Sequence, residues 1–210
     1  MNTQEIEQAN QLLRSQSPAQ IIQWALALGK PTIATTSFAR NSAAMLHLLV
    51  ESAPTVPVVW IDSGYNVPDT YRVAEEIMEL LKPNMHIYIP QITAERRNAI
   101  MGGIPHPDED PQVHDEFTRQ VKLEPFDFAL NEHKPEVWIS GIRQQETDFR
   151  KTLDILSLDN RGILKVAPLF YWSDEQLEDY MKSHQLPSCR HYFDPTKVLD
   201  NRECGLHTSA

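Results

Sequence analysis

The sequence predicts an α/β fold in which a parallel, twisted sheet carries helices on both faces. Short β-branched or apolar runs, such as residues 32–36 and 56–61, alternate with longer segments of helical character. Strands separated by helices pair in parallel, because a parallel pair needs a long crossover that a helix supplies. The chain shows no internal repeat, low-complexity tract or interdomain linker. We therefore predict one domain over residues 1–199, followed by a flexible C-terminal tail over residues 200–210.

The first half of the chain predicts four helices and three strands. Ser17, Pro18 and Gln20 form a capped helix start, and Gly29 is a natural stop for the helix that follows. The predicted helices cover residues 6–14, 18–28, 42–51 and 69–81, and the predicted strands cover residues 32–36, 56–61 and 86–89.

The second half is less regular. Residues 101–112 contain two glycines and three prolines and are predicted to form a loop. A helix over residues 125–133 and a strand over residues 137–140 follow, with a further strand over residues 163–166. Ser173 and Gln176 form a second capping box, which opens a helix that ends near residue 183.

Composition and charge exclude several classes of protein. Hydrophobic residues make up 41% of the chain and charged residues 23%, which is ordinary for a globular domain. No apolar run approaches membrane-spanning length and the N-terminus lacks a signal-peptide pattern, so we expect a cytoplasmic protein with no membrane contact. A formal charge of −10 disfavours nucleic-acid binding and requires local arginines and backbone amides for any polyanionic substrate.

Three polar loops follow predicted strands, where an open parallel sheet binds its ligands. The first comprises Ser37, Phe38, Ala39, Arg40, Asn41 and Ser42, the second includes Asp62, Gly64 and Tyr65, and the third carries Arg143 with Arg150 further along. Each has a simpler interpretation: an ordinary turn, an aspartate that only shapes a turn, and arginines paired with surface acids. Three such loops at one sheet edge together predict an anion site.

The tail contains the one cysteine that lies in a chemically suggestive setting. Arg202 and His207 flank Cys204, and cationic neighbours stabilise a thiolate, which is the nucleophilic form of cysteine. The alternative is an unremarkable tail cysteine. The other cysteine is Cys189, so neither a disulfide framework nor a Cys-x-x-Cys metal motif is present.

The segment Glu203-Cys204-Gly205-Leu206-His207 resembles the C-terminal signature of the sulfonucleotide reductases, the thioredoxin-dependent PAPS and APS reductases. The first loop resembles that family's modified pyrophosphate loop, and Asp62-Ser63-Gly64-Tyr65 resembles its Asp-Thr-Gly-Tyr block. Lys122-Leu123-Glu124-Pro125 resembles its Lys-Val-Glu-Pro motif, and Gly141-Ile142-Arg143 with Arg150 resembles its Gly-Leu-Arg block. The resemblance extends over residues 35–207.

This resemblance implies an adenine nucleotide alpha hydrolase-like fold and the reduction of PAPS. APS-specific relatives carry paired cysteines that hold a [4Fe–4S] cluster, and this chain lacks them, so we expect no metal and no bound cofactor. The implied nucleophile is Cys204, with Glu203 and His207 beside it. Reduced thioredoxin or glutaredoxin would be the electron donor, and a homodimer is expected. The three loops and Lys122 would hold the substrate.

The chain departs from the family pattern at several positions, which keeps alternatives open. Ala39 and Asn41 replace a glycine and a glutamine, Gln144 replaces a second arginine, and a Gly-Asp-x-His-Thr-Thr stretch is absent. The alternatives are an ATP-dependent adenylyl transferase or pyrophosphatase of the same fold, an APS reductase, and a nucleotide-binding module without turnover. Residues 106–114 hold a further set of acids and histidines, which we interpret as a solvated acidic loop rather than a metal site.

Overall fold

A computed structural model describes residues 1–197 of the chain, in which six strands form one sheet. Along the sheet the order is β3-β2-β1-β4-β6-β5. All neighbouring pairs are parallel except β5 and β6, which are antiparallel. The strands are β1 (Thr32–Thr36), β2 (Val58–Ile61), β3 (Met85–Tyr88), β4 (Val137–Ile139), β5 (Leu156–Leu158) and β6 (Leu164–Val166).

Eight α-helices accompany the strands within residues 1–197. They are α1 (Thr3–Leu13), α2 (Pro18–Ala27), α3 (Ser42–Ser52), α4 (Pro68–Leu81), α5 (Ala94–Met101), α6 (Pro111–Thr118), α7 (Glu124–His133) and α8 (Asp174–Ser183). A π-helical turn over Arg119–Leu123 joins α6 to α7, and short 3₁₀ turns cover Gln144–Glu146 and Arg150–Thr152.

The sheet separates two hydrophobic cores. Side chains alternate along each strand, so Val58 and Trp60 face one core while Val59 faces the other. The larger core includes buried residues of α2, α3, α4 and α8, and the smaller one is formed by α7 packing on Trp138 and its neighbours. The predicted α/β fold with helices on both faces of the sheet is therefore confirmed.

The antiparallel edge of the sheet is held by an asparagine of the first helix. Asn10 is buried, donates from Nδ2 to the carbonyl of Leu156 at 3.0 Å, and accepts from its backbone N–H at 2.8 Å. One side chain thereby satisfies both backbone groups of an edge-strand residue, which would otherwise be costly to bury.

The sequence located most elements, and both predicted capping boxes, at Ser17 and Ser173, are present. It missed α5 and α6, and the loop predicted over residues 101–112 overlaps the end of α5 at Met101 and the start of α6 at Pro111. It also missed β5, and the strand predicted from residue 56 begins at Val58. Helix α5 buries only Arg97 and lacks an apolar face, so its sequence shows no amphipathic pattern that would predict it. No helix within residues 1–197 is long and apolar enough to span a membrane.

Candidate active site

A cavity of about 390 Å³ opens at the carboxyl ends of β1, β2 and β4. The strand order reverses between β1 and β4, which makes this position the topological switch point of the sheet. The loops that follow these two strands run in opposite directions there and leave a crevice between them. The volume lies in the range of pockets that bind small ligands. Apolar side chains, among them Trp60 and Leu169, form part of the wall, and polar loops form the rest.

The first loop turns sharply at Phe38. Its backbone adopts a left-handed conformation with φ of 51°, which is unfavourable for a bulky residue. The side chain is fully buried and packs edge-on against Trp60, with ring centroids 4.8 Å apart. Packing of the aromatic ring therefore holds a strained turn, and the rest of the loop, residues 37 and 39–42, lines the cavity.

Helix α3 begins at this loop and points its N-terminus towards the cavity. Asn41 occupies the N-cap position, yet its side chain makes no capping hydrogen bond. The N-terminus of a helix carries unpaired N–H groups and a partial positive charge, both of which favour an anion. The loop is thus suited to a phosphate group.

The second loop is organised by Asp62. Its Oδ1 accepts hydrogen bonds from the Tyr71 hydroxyl at 2.8 Å, from Asn66 Nδ2 at 2.9 Å and from the backbone N–H of Gly64 at 3.0 Å. Burial, together with the bond to Asp62, raises the pKa of Tyr71 to about 12, so the phenol stays a donor. Asp62 therefore holds the turn, while Ser63 and Asn66 line the cavity.

Tyr65 points away from the cavity. Its hydroxyl donates to Asn98 Oδ1 of α5 at 2.8 Å, and its ring packs against Phe117 of α6 with centroids 5.3 Å apart. Tyr65 and Gly64 are absent from the cavity wall. Their contacts join the second loop to α5 and α6 instead.

The third loop places two buried arginines on one carboxylate. Arg143 and Arg150 are 6% and 7% exposed and both line the cavity. Arg143 Nε lies 3.5 Å from Glu146 Oε1, and Arg150 forms a close ion pair with the other oxygen of Glu146. Arg143 also pairs with Asp174 at 2.9 Å, at the start of α8. Asp174 is 74% exposed and lies outside the cavity wall, so within the wall the two guanidinium groups face one carboxylate and retain positive charge for an anionic ligand.

A buried ion pair connects the cavity to the C-terminal segment. Lys122, on the π-helical turn, pairs with Asp194 and approaches Thr196 Oγ1 at 3.3 Å. Burial by itself would raise the pKa of Asp194. The Lys122 ammonium and the hydrogen bonds from Thr196 outweigh this effect and hold that pKa below its usual range. Residues 192–197, which we call the strap, form one wall of the cavity.

The cavity has the opposite charge to the molecule. Among the described residues its wall holds five cationic side chains and two carboxylates, a formal balance of +3, in a chain of formal charge −10. The cations are Arg40, Lys122, Arg143, Arg150 and Lys197, and the carboxylates are Glu146 and Asp194. Such a local concentration of positive charge within an acidic protein marks an anion site.

Comparison with known proteins identifies the family of the chain. The family profile described as phosphoadenosine phosphosulfate reductase domain matches residues 31–195. The chain belongs to this reductase family. The curated phosphoadenosine 5'-phosphosulfate reductases of Synechococcus sp. and Photobacterium profundum are 35% and 32% identical to it. Each alignment covers 87% of this chain, with 78% of the first relative and 72% of the second. The resemblance drawn from the motifs is confirmed.

Solved structures share the fold. A phosphoadenylyl-sulfate (PAPS) reductase from Candida auris, in a phosphate complex, superposes with a TM-score of 0.77 at 24% identity over 90% of both chains. The FMN adenylyltransferase of Candida glabrata superposes with a TM-score of 0.54 at 12% identity, over 75% of this chain and 48% of that one. The superposition with the reductase thus covers more of both chains than the superposition with the adenylyltransferase.

Of the predicted site residues in this reductase domain, the structure brings most of the loop residues together. Ser37, Ala39, Arg40, Asn41, Ser42, Lys122, Arg143 and Arg150 line one cavity. Phe38, Asp62, Gly64 and Tyr65 support the loops from behind. Cys204, Glu203 and His207 lie outside the described residues.

Sequence reasoning missed several residues of the cavity. Ser63 and Asn66 lie in the loop after β2, and Ser140 follows β4 directly, so their positions in the chain could have revealed them. Ser140 Oγ is buried and has no hydrogen-bond partner among the described residues, which leaves it available to a ligand. Glu146 and the strap carried no comparable signal. Gln144, which replaces a family arginine, is absent from the cavity wall.

Proposed function

We propose that the protein reduces PAPS to sulfite and adenosine 3′,5′-bisphosphate, as a step of sulfate assimilation, with Cys204 as the nucleophile. The observation that carries this proposal is the cationic cavity at the switch point of a reductase-family fold, where Arg143 and Arg150 share Glu146. A substrate with phosphate and sulfonate groups needs this concentration of cations. The apolar part of the wall suits its adenine base.

In the first half-reaction, the Cys204 thiolate attacks the sulfur of the sulfonate. A sulfur–sulfur bond forms while the bond from that sulfur to the bridging phosphate oxygen breaks. The electron pair leaves with adenosine 3′,5′-bisphosphate, and Cys204 becomes an S-sulfonate. Arg143, Arg150 and the N-terminus of α3 would stabilise the charge that moves onto the leaving phosphate.

In the second half-reaction, a thiolate of reduced thioredoxin or glutaredoxin attacks Cys204 Sγ. The new sulfur–sulfur bond displaces sulfite, which keeps the electron pair of the cleaved bond. A second thiol of the donor loses its proton, attacks the mixed disulfide and returns Cys204 to the thiolate. The donor is oxidised by two electrons, and the sulfonate sulfur is reduced by two.

The strap makes this role of Cys204 sterically reasonable. Lys197 lines the cavity, and Cys204 comes seven residues later in the chain. Seven residues span at most about 25 Å when fully extended. The shortened connection therefore suffices for Cys204 to reach the nucleotide, even without the Gly-Asp-x-His-Thr-Thr stretch. Glu203 and His207 would lie beside it, and His207 would favour the ionised thiol.

Adenylyl transfer is the weaker alternative, because the similarity to an adenylyltransferase structure concerns the fold alone. Two features suggest the alternative of a binding module without turnover, the missing Gly-Asp-x-His-Thr-Thr stretch and the replacement of an arginine by Gln144. That substitution lies outside the cavity wall, so it removes less charge from the site than the sequence implied. The cytoplasmic location, the homodimer and the thiol donor remain predictions from the sequence.

Sulfite release from PAPS and from APS, each with reduced thioredoxin, tests the proposal. We expect turnover of PAPS, slower turnover of APS, and no absorption band of an iron–sulfur cluster. Faster turnover of APS than of PAPS would identify APS as the substrate instead. Binding of PAPS without sulfite release, with both thioredoxin and glutaredoxin as donors, would favour the binding module.

A further inference from the structure

Two histidines and a glutamate meet at the edge of the sheet, outside the cavity. His86 lies on the edge strand β3, and Glu132 and His133 lie in the last turn of α7. One potential ligand atom from each residue lies within 4.8 Å of the other two. None of the three lines the cavity described above. The strand and the helix that carry these side chains lie about 50 residues apart in the sequence, so no local sequence motif predicts the cluster.

The arrangement of the cluster is specific. The His86 and His133 rings lie edge to face, with centroids 4.6 Å apart and an interplanar angle of 86°. Between the strand and the helix, the Tyr88 hydroxyl donates to Glu132 Oε2 at 2.9 Å and lies 3.1 Å from His133 Nε2. Tyr88 thus holds both α7 side chains, as the outer hydrogen-bond partners of metal ligands typically do.

We propose that His86, Glu132 and His133 bind a divalent transition-metal ion of the zinc class. Two imidazole nitrogens and a carboxylate oxygen are a common ligand set for zinc, which leaves a fourth position for water. Ligand atoms around tetrahedral zinc lie roughly 3.3 Å apart, from bond lengths of about 2.0 to 2.1 Å. The ligand atoms lie within 4.8 Å of one another, Glu132 is exposed and both histidines are half-buried, so small rotations of these side chains would bring the atoms to that distance.

The helix end adds to the attraction for a cation. Glu132 and His133 lie where the carbonyl groups of α7 end, and the C-terminus of a helix carries partial negative charge. His86 is half-buried on the edge strand, so an ion reaches the site from solvent. A bound ion would join β3 to α7 and thereby stabilise the unpaired edge of the sheet. The absence of thiolate ligands favours zinc, nickel or copper over softer ions.

Metal titration of the full chain carrying Cys204→Ser tests this proposal without interference from the tail thiol. We expect one Co²⁺ per chain, with the visible bands of a tetrahedral or five-coordinate site and without a thiolate-to-cobalt charge-transfer band. Zn²⁺ should displace the cobalt. At saturation Zn²⁺ should raise the Tm by about 5 °C, because the ion binds the folded state only.

The variants His133→Ala and Glu132→Gln, made in the same background, should each lose at least tenfold in metal affinity and most of the Tm rise. His106→Ala is the matched control, because His106 is a histidine of the acidic loop whose Nδ1 lies 4.0 Å from Asp108, outside the cluster. This control should bind metal as before. Equal affinity in His133→Ala and His106→Ala, or no binding below about 1 mM metal, would overturn the proposal.

Discussion

At the scale of single residues, Glu146 determines how much positive charge the cavity keeps. Arg143 and Arg150 share it, so within the cavity wall two buried guanidinium groups face one carboxylate. Arg143 has a second acidic partner in Asp174, which anchors the start of α8. Arg150 is therefore the more informative position for substitution.

Arg150→Gln should lower kcat/KM for PAPS by about ten- to a hundredfold, through kcat as well as KM, because it removes charge-assisted bonds worth about 1.5 to 3 kcal/mol that hold the substrate and stabilise the leaving phosphate. The matched control is Lys151→Gln, since Lys151 is the next residue, is 60% exposed and pairs with Asp148. Steady-state kinetics of both variants measure the difference. Equal losses in both variants would contradict a substrate contact by Arg150.

The two cysteines should behave differently on substitution. Cys204→Ser should abolish sulfite formation and leave nucleotide binding nearly intact, because it removes only the nucleophile. Cys189→Ser should keep most activity, since Cys189 is 1% exposed and its thiol donates to the carbonyl of His191 at 3.4 Å, a bond that serine can replace. Sulfite assays and nucleotide titrations of both variants check this, and substantial turnover by Cys204→Ser would refute the mechanism.

At the scale of elements, the π-helical turn and the strap belong together. The turn carries Lys122, whose partner Asp194 holds the strap against the cavity. The side chains of Lys122 and Asp194 are only 14% and 7% exposed, so breaking the pair leaves a buried charge. The strap therefore depends on this contact for its position.

Asp194→Asn should lower the free energy of unfolding at pH 7 by about 2 to 3 kcal/mol. The pKa of Asp194 is lowered in the folded state, so its contribution is complete above the unfolded value of about 4, declines as the pH falls below that value and is lost only below the folded pKa. Urea unfolding between pH 7 and pH 3 should show the gap between the two proteins narrowing once the pH falls below about 4. Asp148→Asn, at an exposed carboxylate, should stay close to the parent throughout. A gap at pH 3 as large as the gap at pH 7 would contradict this account.

Elements with a strong local signal could be predicted from the sequence. Capping boxes and apolar periodicity revealed α2 and α8, and β-branched runs revealed β1 and β2. Helix α5 and strand β5 could not be found in that way, because each is short and is held by distant contacts, such as those of Arg97 with Gln120 and of Asn10 with Leu156.

At the scale of the whole molecule, topology brings the site together. Three loops that are far apart in the sequence meet because their strands are adjacent and parallel, which made the cavity predictable. Which residues of each loop line the cavity and which hold the turn could not be predicted. Asp62 looked like a ligand residue and holds a turn, whereas Asn66 beside it lines the cavity.

Charge distribution is also a property of the whole chain. An overall charge of −10 repels polyanions, so the cationic cavity supplies the selectivity for the substrate. High salt should screen the net repulsion more than the contacts inside the cavity, because buried pairs are screened less. The anion site is thus a local feature imposed on an acidic protein.

Intact-mass spectrometry of the protein incubated with PAPS, in the absence of any thiol, tests the central claim most directly. We predict that each chain gains one SO₃ unit, that peptide mapping places it on Cys204, and that reduced thioredoxin removes it with release of one sulfite. The Cys204→Ser variant should gain nothing under the same conditions. An unchanged mass in a preparation that releases sulfite once thioredoxin is added, or an adduct on Cys189, would contradict the covalent route through Cys204.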